Sequence, residues 1–395
     1  MKRAGRKAVI HASLIVPDAN GAFVVRESCA MLYGTHIEGI LPMEDFRPDM
    51  ADEIYDAQGK YVSPGFIDVH IHGGVGHDTM DETDEALPAM RAFQAKSGVT
   101  GFLPTTMTYD MPRIHRALER IREEMGKPGG ARVLGAHMEG PFIHPRQKGA
   151  QSERFIQKAD YAHLAGYEDV VRILTAAPET IEDFRFVEQC RAAGIIVSIG
   201  HSTADYETAM EAIETHDMRH ITHLFNAQTG FHHRRPGIVG AAFDTDAVCE
   251  LIADNVHTSP TAQRLTWHAK QGKHIVLITD ALRACGLGDG ESELGGQKVL
   301  VKGTLATLED GTIAGSVLTM NEGLRIFREN IGASIPEVVE LVTKNPAEEL
   351  GIYGKLGSLT EGKLADFTVF DEAFRIGCTV VDGKTEGGSP CCFNT

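Results

Sequence analysis

The sequence has no long hydrophobic run, no excess of positive charge and no paired-cysteine motif. No window of the 395 residues holds the roughly 18 consecutive apolar residues that a membrane helix requires. The 38 lysines and arginines are outnumbered by 55 aspartates and glutamates, and the formal net charge is −17. A nucleic-acid-binding protein needs clustered cations to displace the counterions of the phosphates. We therefore expect neither a membrane protein nor a nucleic-acid-binding protein.

The seven cysteines are scattered and show no CxxC spacing. Scattered thiols in a chain of this length fit a reducing cytoplasm better than a disulfide framework. The adjacent Cys391 and Cys392 lie in a terminal tail that we expect to be inert. At the other end, the basic Met1–Arg3 precedes an apolar segment that His11 and Pro17 interrupt, which predicts a first β-strand rather than a signal peptide. We expect a cytoplasmic protein.

From residue 63 onward, short apolar runs alternate with amphipathic runs of helical length, which is typical of βα units around a parallel sheet. The eight predicted strands span Phe66–His72, Gly98–Pro104, Val133–Glu139, Val171–Ala177, Gly194–His201, His220–Asn226, Cys249–Asp254 and His274–Asp280. Helices are predicted over residues 83–96, 112–125, 180–193, 203–216, 258–271, 316–330 and 334–350. Eight such repeats predict an α/β protein built on a closed (β/α)8 barrel of the TIM type.

The two ends of the chain show a different pattern. Their short apolar runs are separated by turn residues such as Asp18–Gly21, which is typical of antiparallel strands. Because neither end is long enough for a core of its own, we predict that residues 1–62 and 351–395 pair into one small, discontinuous β-sandwich domain. Residues 63–350 would form the catalytic barrel domain, with a β-like excursion over the glycine-rich residues 287–312.

Six histidine and acidic residues fall at the ends of the predicted barrel strands. They are His70, His72, Glu139, His201, His223 and Asp280. His70 and His72 point the same way, since residues i and i+2 of a strand share a face. In a parallel barrel all carboxyl-terminal strand ends open onto one face, so the six side chains would converge there. Imidazoles and carboxylates suit zinc, and also iron, cobalt or manganese, so the pattern predicts a divalent-metal site.

Longer motifs surround these residues. They span Pro64–Gly73, His137–Phe142, Gly200–Ser202, Thr222–Ala227, His233–Gly237, Leu251–His257, Ile278–Ala281 and Gly357–Phe367. By these motifs nearly the whole chain resembles the amidohydrolase superfamily and, within it, the N-acetylglucosamine-6-phosphate deacetylases. The Glu-Gly-Pro-Phe, His-Leu-Phe-Asn-Ala and His-Arg-Arg-Pro-Gly elements are specific to the deacetylases. The resemblance implies hydrolysis of the N-acetyl amide of N-acetylglucosamine 6-phosphate to glucosamine 6-phosphate and acetate.

The resemblance also implies which residues bind metal. The ligands of the metal present throughout the family would be Glu139, His201 and His223, with His70 and His72 completing a second site. Some deacetylases lack this histidine pair, so the chain is expected to be of the two-metal type. Some single-metal members carry a histidine in place of Gln151 that polarises the substrate carbonyl. With glutamine here, our hypothesis is that a second metal supplies this Lewis acidity.

For the chemistry, the resemblance implies that Asp280 takes a proton from the attacking water and later passes it to the departing amine. The implied substrate-binding residues are Gln151, Asn226, Ala227, Arg234 and His257. Arg234 matches the family's phosphate-binding arginine, and a guanidinium suits a phosphate. In relatives this arginine reaches the neighbouring subunit's site, which implies a homodimer. Arg235 stands where the family has an acidic residue, a departure from the pattern.

Three alternatives stay open at this point. One is another amidohydrolase activity, such as that of a cyclic-imide hydrolase or a dipeptidase, whose two-metal members usually carry a carboxylated lysine on the fourth strand. The fourth predicted strand and its end, Val171–Pro178, contain no lysine, which favours a deacetylase. A non-catalytic scaffold would be expected to have lost metal ligands, and here all six positions are present. The third alternative is the epimeric substrate N-acetylgalactosamine 6-phosphate.

Overall fold

The computed structural model describes residues 5–388, so Cys391 and Cys392 lie outside the described residues. The first elements are five strands: β1 (Lys7–Pro17), β2 (Phe23–Tyr33), β3 (Ile37–Pro42), β4 (Glu53–Asp56) and β5 (Tyr61–Pro64). β1 and β2 pair antiparallel across a turn in which Asp18 Oδ1 accepts hydrogen bonds from the backbone N–H groups of Asn20 and Ala22. An aspartate that ties down its own turn in this way favours a reversal of the chain. The antiparallel pattern predicted for the N-terminal segment is confirmed for β1, β2 and β3. It is wrong for β4 and β5, which both pair with β1 in parallel.

The central sheet is parallel and contains all eight predicted strands. Its region of the chain comprises β6 (Phe66–Ile71), β7 (Gly73–Gly74), β8 (His77–Asp78), β9 (Val99–Thr106), β10 (Arg132–Val133), β11 (Ala136–Glu139), β12 (Val171–Ala176), β13 (Ile196–Ile199), β14 (His220–Ile221), β15 (Val248–Ile252) and β16 (Ile275–Ile278). The strand order is β6-β9-β11-β12-β13-β14-β15-β16, with β10 beside β9. Most of these strands end before the predicted boundary, because the polar residues at their ends begin the loops of the site.

Hydrogen bonds between β16 and β6 close this sheet into a barrel. The backbone N–H of Asp280 donates to the carbonyl of His70 at 2.9 Å. Two residues before His70 in β6, the buried Asp68 carboxylate accepts hydrogen bonds from Thr279 Oγ1 at 2.6 Å and from Gln94 Nε2 at 3.1 Å. The predicted (β/α)8 barrel is therefore confirmed.

Helices cover the outside of the barrel. They are α1 (Ala86–Lys96), α2 (Met111–Glu124), α3 (Arg185–Ala192), α4 (Tyr206–Glu214), α5 (Gly237–Asp244), α6 (Pro260–Lys270), α7 (Met320–Ile331), α8 (Ile335–Glu340) and α9 (Lys344–Glu349). Side chains of Asp110, Asp205 and Ser259 cap α2, α4 and α6 by accepting backbone N–H groups of the first turn. The helix predicted over 334–350 is two helices, because Thr343 leaves the helical region with φ −131° and ψ −73°. Among residues 5–388 no helix is long and apolar enough to cross a membrane.

The predicted excursion after the eighth barrel strand is a separate antiparallel sheet. It consists of β17 (Gly290–Leu294), β18 (Gln297–Lys302) and β19 (Leu305–Leu308). Gln297 Nε2 donates to the carbonyl of Ala150 at 2.6 Å, so this sheet is fixed to the loop that follows β11. The excursion therefore forms one wall at the carboxyl-terminal end of the barrel.

The last strands, β20 (Phe367–Phe370), β21 (Ile376–Val381) and β22 (Lys384–Gly388), join the N-terminal strands in one eight-stranded sheet. Along the order β20-β5-β1-β2, a flat sheet would hold β20 and β2 about 14 Å apart, at about 4.8 Å per strand. The rings of Tyr33 in β2 and Phe367 in β20 instead meet edge to face, with centroids 5.0 Å apart. The sheet is therefore folded over on itself, which gives the sandwich its own core.

The barrel has the buried cluster of branched aliphatic residues that is usual for this fold, including Leu103, Ile173 and Ile252. Near the carboxyl-terminal strand ends the buried side chains are polar instead. His137 Nε2 lies 2.7 Å from Thr175 Oγ1, and Thr175 Oγ1 lies 2.7 Å from Thr222 Oγ1 on a strand two places away. His70 on β6 likewise contacts Glu250 on β15. These contacts join side chains of adjacent strands and of strands two places apart, so the side chains form a hydrogen-bonded network beneath the strand ends.

Candidate metal centre

The six residues predicted at strand ends meet around one carboxylate. His201 Nε2 and His223 Nε2 each lie 3.1 Å from Glu139 Oε1. His72 Nε2 lies 3.3 Å from Glu139 Oε2. His70 and Asp280 are the other two of the six residues, and their donor atoms lie beside that of His72. The convergence expected from the parallel barrel is therefore present at its carboxyl-terminal end.

The donor atoms fall into two groups of three. One group consists of Glu139, His201 and His223, and the other consists of His70, His72 and Asp280; within each group the donor atoms lie within 4.8 Å of one another. Asp280 Oδ1 is 3.3 Å from His72 Nε2 and 3.6 Å from His70 Nε2. Glu139 belongs to the first group and also lies 3.4 Å from His70 Nε2. Its carboxylate would therefore be available to a metal held by either group.

Hydrogen bonds to the rings fix which nitrogens face this carboxylate. His201 Nδ1 donates to the carbonyl of Gln147 at 2.7 Å, and His72 Nδ1 donates to that of Thr105 at 3.2 Å. When Nδ1 carries the proton, Nε2 presents a lone pair, which is how metal-binding histidines are usually oriented.

The converging nitrogens need a cation. His201 Nε2 and His223 Nε2 are 3.1 Å apart, and the buried Nε2 of His70 has no hydrogen-bond partner among the described residues. Lone pairs that face one another and a carboxylate are stabilised by an ion between them, and a set of imidazoles and carboxylates is the donor set of zinc and related metals. The residues present therefore fit a divalent metal.

Electrostatics at the centre also favour a cation. Burial disfavours a charged His70, but the carboxylates of Glu250 and Glu139 raise its pKa to about 9. Burial likewise disfavours the charged form of Glu139, yet the imidazoles of His70 and His201 hold its pKa well below the usual range. The field that raises the pKa of His70 attracts a metal ion in the same way as it attracts a proton.

The backbone is strained where three of these residues leave their strands. His201, His223 and Asp280 have φ values of 48°, 31° and 48°, in the left-handed region that residues other than glycine rarely adopt. Each such residue costs on the order of 1–3 kcal/mol, and such strain clusters at functional sites. These three turns place the side chains of His201, His223 and Asp280 at the carboxyl-terminal end of the barrel, where they line the cavity.

A cavity of about 490 Å³ opens above the carboxylate, within the size range of small-molecule sites. Four of the predicted substrate-binding residues line it: Gln151, Asn226, Ala227 and His257. Gln151 donates from Nε2 to Glu139 Oε2, while its Oε1 accepts the backbone N–H of Thr108 at 2.7 Å. His257 Nδ1 donates to Asp254 Oδ2 at 2.7 Å. Both side chains are therefore held by partners while they face the cavity.

Arg234 is the one predicted substrate-binding residue outside this set. It is exposed, its Nη1 lies 2.8 Å from His233 Nε2, and it is not among the residues that line the cavity of its own chain. Its loop is a tight turn, in which the backbone groups of His232 and Arg235 are hydrogen-bonded to each other. The guanidinium of Arg234 is therefore exposed on a turn outside the cavity of its own chain.

Several residues of the site were not predicted from the sequence. Arg146 and Lys148 line the cavity from the loop after β11, where no periodic pattern marks them. Glu250 lies beneath the centre and contacts His70 Nδ1 at 2.9 Å. Its signal was available, since it is the one charged residue in the strand Val248–Ile252.

Comparison with known proteins agrees with this geometry. Residues 61–385 match the model of the amidohydrolase family. The chain belongs to this family, whose hydrolases are metal-dependent. It is 40% identical over 341 residues to the N-acetylglucosamine-6-phosphate deacetylase of Bacillus subtilis (strain 168), covering 84% of this chain and 86% of that relative.

Two further comparisons bear on the fold and the substrate. The crystal structure of N-acetylglucosamine-6-phosphate deacetylase from Pasteurella multocida superposes with a TM-score of 0.90 at 29% identity, covering 97% of this chain and 100% of that chain. An N-acetylgalactosamine-6-phosphate deacetylase of Escherichia coli O157:H7 is 34% identical over 337 residues, covering 84% of this chain and 89% of that relative. The chain is therefore similar to deacetylases of both epimeric sugar phosphates.

The metal centre predicts stabilisation by added zinc. Zinc at a free concentration 1,000 times its Kd should stabilise the chelator-stripped protein by about 4 kcal/mol, because it binds only the folded chain. Glu139→Gln removes the carboxylate at the middle of the centre, so most of this stabilisation should disappear. Differential scanning calorimetry with and without zinc measures both effects, with magnesium as the control ion because it prefers oxygen ligands. An equal zinc response in Glu139→Gln would contradict the assignment.

Proposed function

We propose that the chain is a metal-dependent deacetylase that hydrolyses the N-acetyl amide of N-acetylglucosamine 6-phosphate to glucosamine 6-phosphate and acetate. One observation carries the proposal: two groups of possible metal ligands meet around Glu139, and Asp280 lines the cavity above them. The similarity to deacetylases over more than four-fifths of the chain names the substrate class.

The proposed ligands are Glu139, His201 and His223 for one divalent metal, and His70 and His72 for a second, with Asp280 beside them. Zinc is the metal we favour, and iron, cobalt or manganese would suit the same donors. When bound, such an ion lowers the pKa of water towards about 7 and stabilises negative charge on an amide oxygen.

The chain's own residues would carry the proton. Asp280 lines the cavity, and although burial disfavours its ionisation, the neighbouring imidazoles of His72 and His70 keep its pKa below the ordinary value. An ionised carboxylate at this position can accept the proton of the attacking water and then donate it to the leaving amine. Gln151 is held on Glu139 and so leaves polarisation of the carbonyl to the second metal in this proposal.

The sugar phosphate would be held by the remaining cavity residues. We assign Asn226, Ala227 and His257 to the sugar and phosphate, and Arg234 of the partner subunit to the phosphate of a homodimer. Exposure of Arg234 outside its own cavity supports this arrangement. Bidentate guanidinium groups suit phosphate oxygens, so Arg234 of the partner subunit would add to the positive charge of Arg146 and Lys148, which line the cavity.

We further propose that residues 1–62 and 351–395 act as one sandwich domain beside the catalytic barrel domain of residues 63–350. The folded-over terminal sheet with its own core supports this division. A cytoplasmic location is supported by the free, buried thiols of Cys29, Cys190, Cys249 and Cys285.

One second candidate has an observation in its favour. The similarity to an N-acetylgalactosamine-6-phosphate deacetylase makes that epimer the alternative substrate. The two sugars differ in the configuration of one hydroxyl group, so the relative rates on the two phosphates distinguish these candidates.

Acetate release tests the proposed function directly. The purified chain should release acetate from N-acetylglucosamine 6-phosphate, lose this activity in a chelator and regain it with zinc. A kcat/KM at least tenfold higher for N-acetylglucosamine 6-phosphate than for its galactosamine epimer is expected. Faster turnover of the galactosamine epimer would reverse the substrate assignment, and the absence of acetate release from both would contradict the proposal.

Asp280→Asn tests the proton-transfer role. The amide keeps the shape of the side chain but cannot take a proton, so kcat should fall by about 10²–10⁴-fold while KM changes little. Metal content, measured by atomic emission, is the control, since Asp280 lies beside the second donor group. A variant that keeps its metals and more than a tenth of the parent kcat would contradict this role.

Arg234→Ala tests phosphate binding across the subunit interface. The variant should show a KM raised at least tenfold for the phosphorylated sugar, because its site lacks the partner's guanidinium. Mixed dimers with the Asp280→Asn chain should regain activity, since the site with an intact Asp280 would then receive Arg234 of the partner subunit. Failure of exchanged mixed dimers to gain activity over the separate variants would contradict an arginine acting between subunits.

A further inference from the structure

Glu250 is a fully buried carboxylate in the interior of the barrel, beneath the metal centre. Its Oε2 accepts a hydrogen bond from His70 Nδ1 at 2.9 Å and another from the backbone N–H of His223 at 3.1 Å. Its Oε1 faces His220 Nε2 at 3.1 Å, and His137 Nδ1 lies 3.7 Å away. Glu250 therefore contacts a residue from each of the two donor groups from below, without reaching the cavity.

His220 lies between two carboxylates. Its Nε2 is 3.1 Å from Glu250 Oε1, and its Nδ1 is 3.0 Å from Glu349 Oε1. An ionised carboxylate only accepts hydrogen bonds, so both ring nitrogens of His220 must donate. A ring that donates from both nitrogens is an imidazolium. Consistent with this, burial opposes the charge but the hydrogen bonds to Glu250 and Glu349 raise the pKa of His220 to about 9.

This geometry divides the charges in a definite way. The cation of His220 balances Glu250, so His70 can donate its Nδ1 proton to Glu250 while its Nε2 faces Glu139, where a bound metal would take the place of a proton. If His220 were neutral, the buried Glu250 would have His70 as its nearest source of positive charge, and a proton on His70 Nε2 would block metal binding. Buried charges without a compensating partner cost several kcal/mol.

The network leads away from the cavity to the opposite end of the barrel. Glu349, at the end of α9, has a side chain that is 20% exposed. It lines a separate cavity of about 240 Å³ together with Gly194, Asp217 and Arg219, which precede β13 and β14. His70, Glu250, His220 and Glu349 thus form one hydrogen-bonded chain from the centre to solvent on the amino-terminal face.

We propose that Glu250 and His220 are positioning residues for the second metal: Glu250 fixes the ring of His70, and His220, held by Glu349, is the counter-charge of Glu250. The inference rests on the proposed binding of metal by His70 and His72. It assigns a role in metal affinity to three residues that do not touch the cavity and that no part of the catalytic proposal uses.

Zinc titration of the chelator-stripped chain tests the inference. Metal per chain is measured by atomic emission, and affinities by competition with a chromophoric chelator. The parent should bind two zinc ions. Glu250→Gln should keep one site and weaken the other about 10- to 100-fold, the usual effect of removing such a supporting partner. His220→Gln keeps a donor towards Glu250 but has no charge, so it should weaken the same site.

A matched control and a milder variant complete the series. Glu124→Gln removes a buried carboxylate on α2 that pairs with Arg91 of α1 and contacts no residue of the network, so both zinc affinities should equal those of the parent. Glu349→Gln lies at the exposed end, where folding is least at risk, and should weaken the second site by a smaller factor. Unchanged affinity in Glu250→Gln and His220→Gln would overturn the inference, as would unchanged affinity in Glu349→Gln if the other two variants do not fold.

Nuclear magnetic resonance of the zinc-loaded, ¹⁵N-histidine-labelled parent gives a second readout. At pH 8 an ordinary imidazole is neutral, whereas His220 should show protons on both ring nitrogens. A neutral His220 would overturn the inference, and so would a parent chain that binds a single zinc. Acetate release by that single-zinc chain would leave the proposed function standing, whereas an inactive chain with two sites that respond as expected would contradict only the proposed function.

Discussion

The structure depends on the burial of four carboxylates in and just above the barrel. Asp68, Glu139, Glu250 and Asp280 are each at most 7% exposed, and an isolated buried charge costs several kcal/mol. This cost is offset by different partners at each carboxylate. Their partners explain why histidine and threonine side chains are buried beneath the strand ends, next to the aliphatic cluster of the barrel strands.

Two of the four are satisfied within the chain. Asp68 accepts hydrogen bonds from Thr279 and Gln94, and its burial still raises its pKa to about 6. Glu250 is balanced by His220 in the inference above. Glu139 and Asp280, by contrast, face imidazole nitrogens that carry lone pairs, so their balance calls for ions from outside the chain. In the proposed function, bound metal would balance Glu139 and Asp280. Asp68 and Glu250 are balanced by residues of the chain.

Sequence patterns predicted much of this because they report on single strands. The apolar runs marked every barrel strand, and the spacing of His70 and His72 placed both rings on one face, where the structure has them. The contacts of Glu250 with His70 and His220 join residues 180 and 30 positions apart. Such contacts depend on the order of the strands in the closed barrel, where β14 is next to β15 and β6 is two places from β15. No local period encodes that order.

Other differences between the structure predicted from the sequence and the observed structure have similar causes. The folding of the terminal sheet over itself depends on Tyr33 meeting Phe367, which pairing rules between neighbouring strands do not determine. Arg146 and Lys148 lie on an irregular loop whose path is set by contacts with other segments, including that of Gln297 with Ala150. Local periodicity therefore predicted elements well, and side chains fixed by distant segments poorly.

The central claim is that Glu139 lies between two metal ions held by the histidines of strands on opposite sides of the barrel. A crystal structure of the zinc-loaded chain, with anomalous differences collected at the zinc absorption edge, tests it most directly. The account predicts two anomalous peaks per chain, one against His201 and His223 and one against His70 and His72, with Glu139 touching both. A single peak, or two peaks of which neither contacts Glu139, would contradict it.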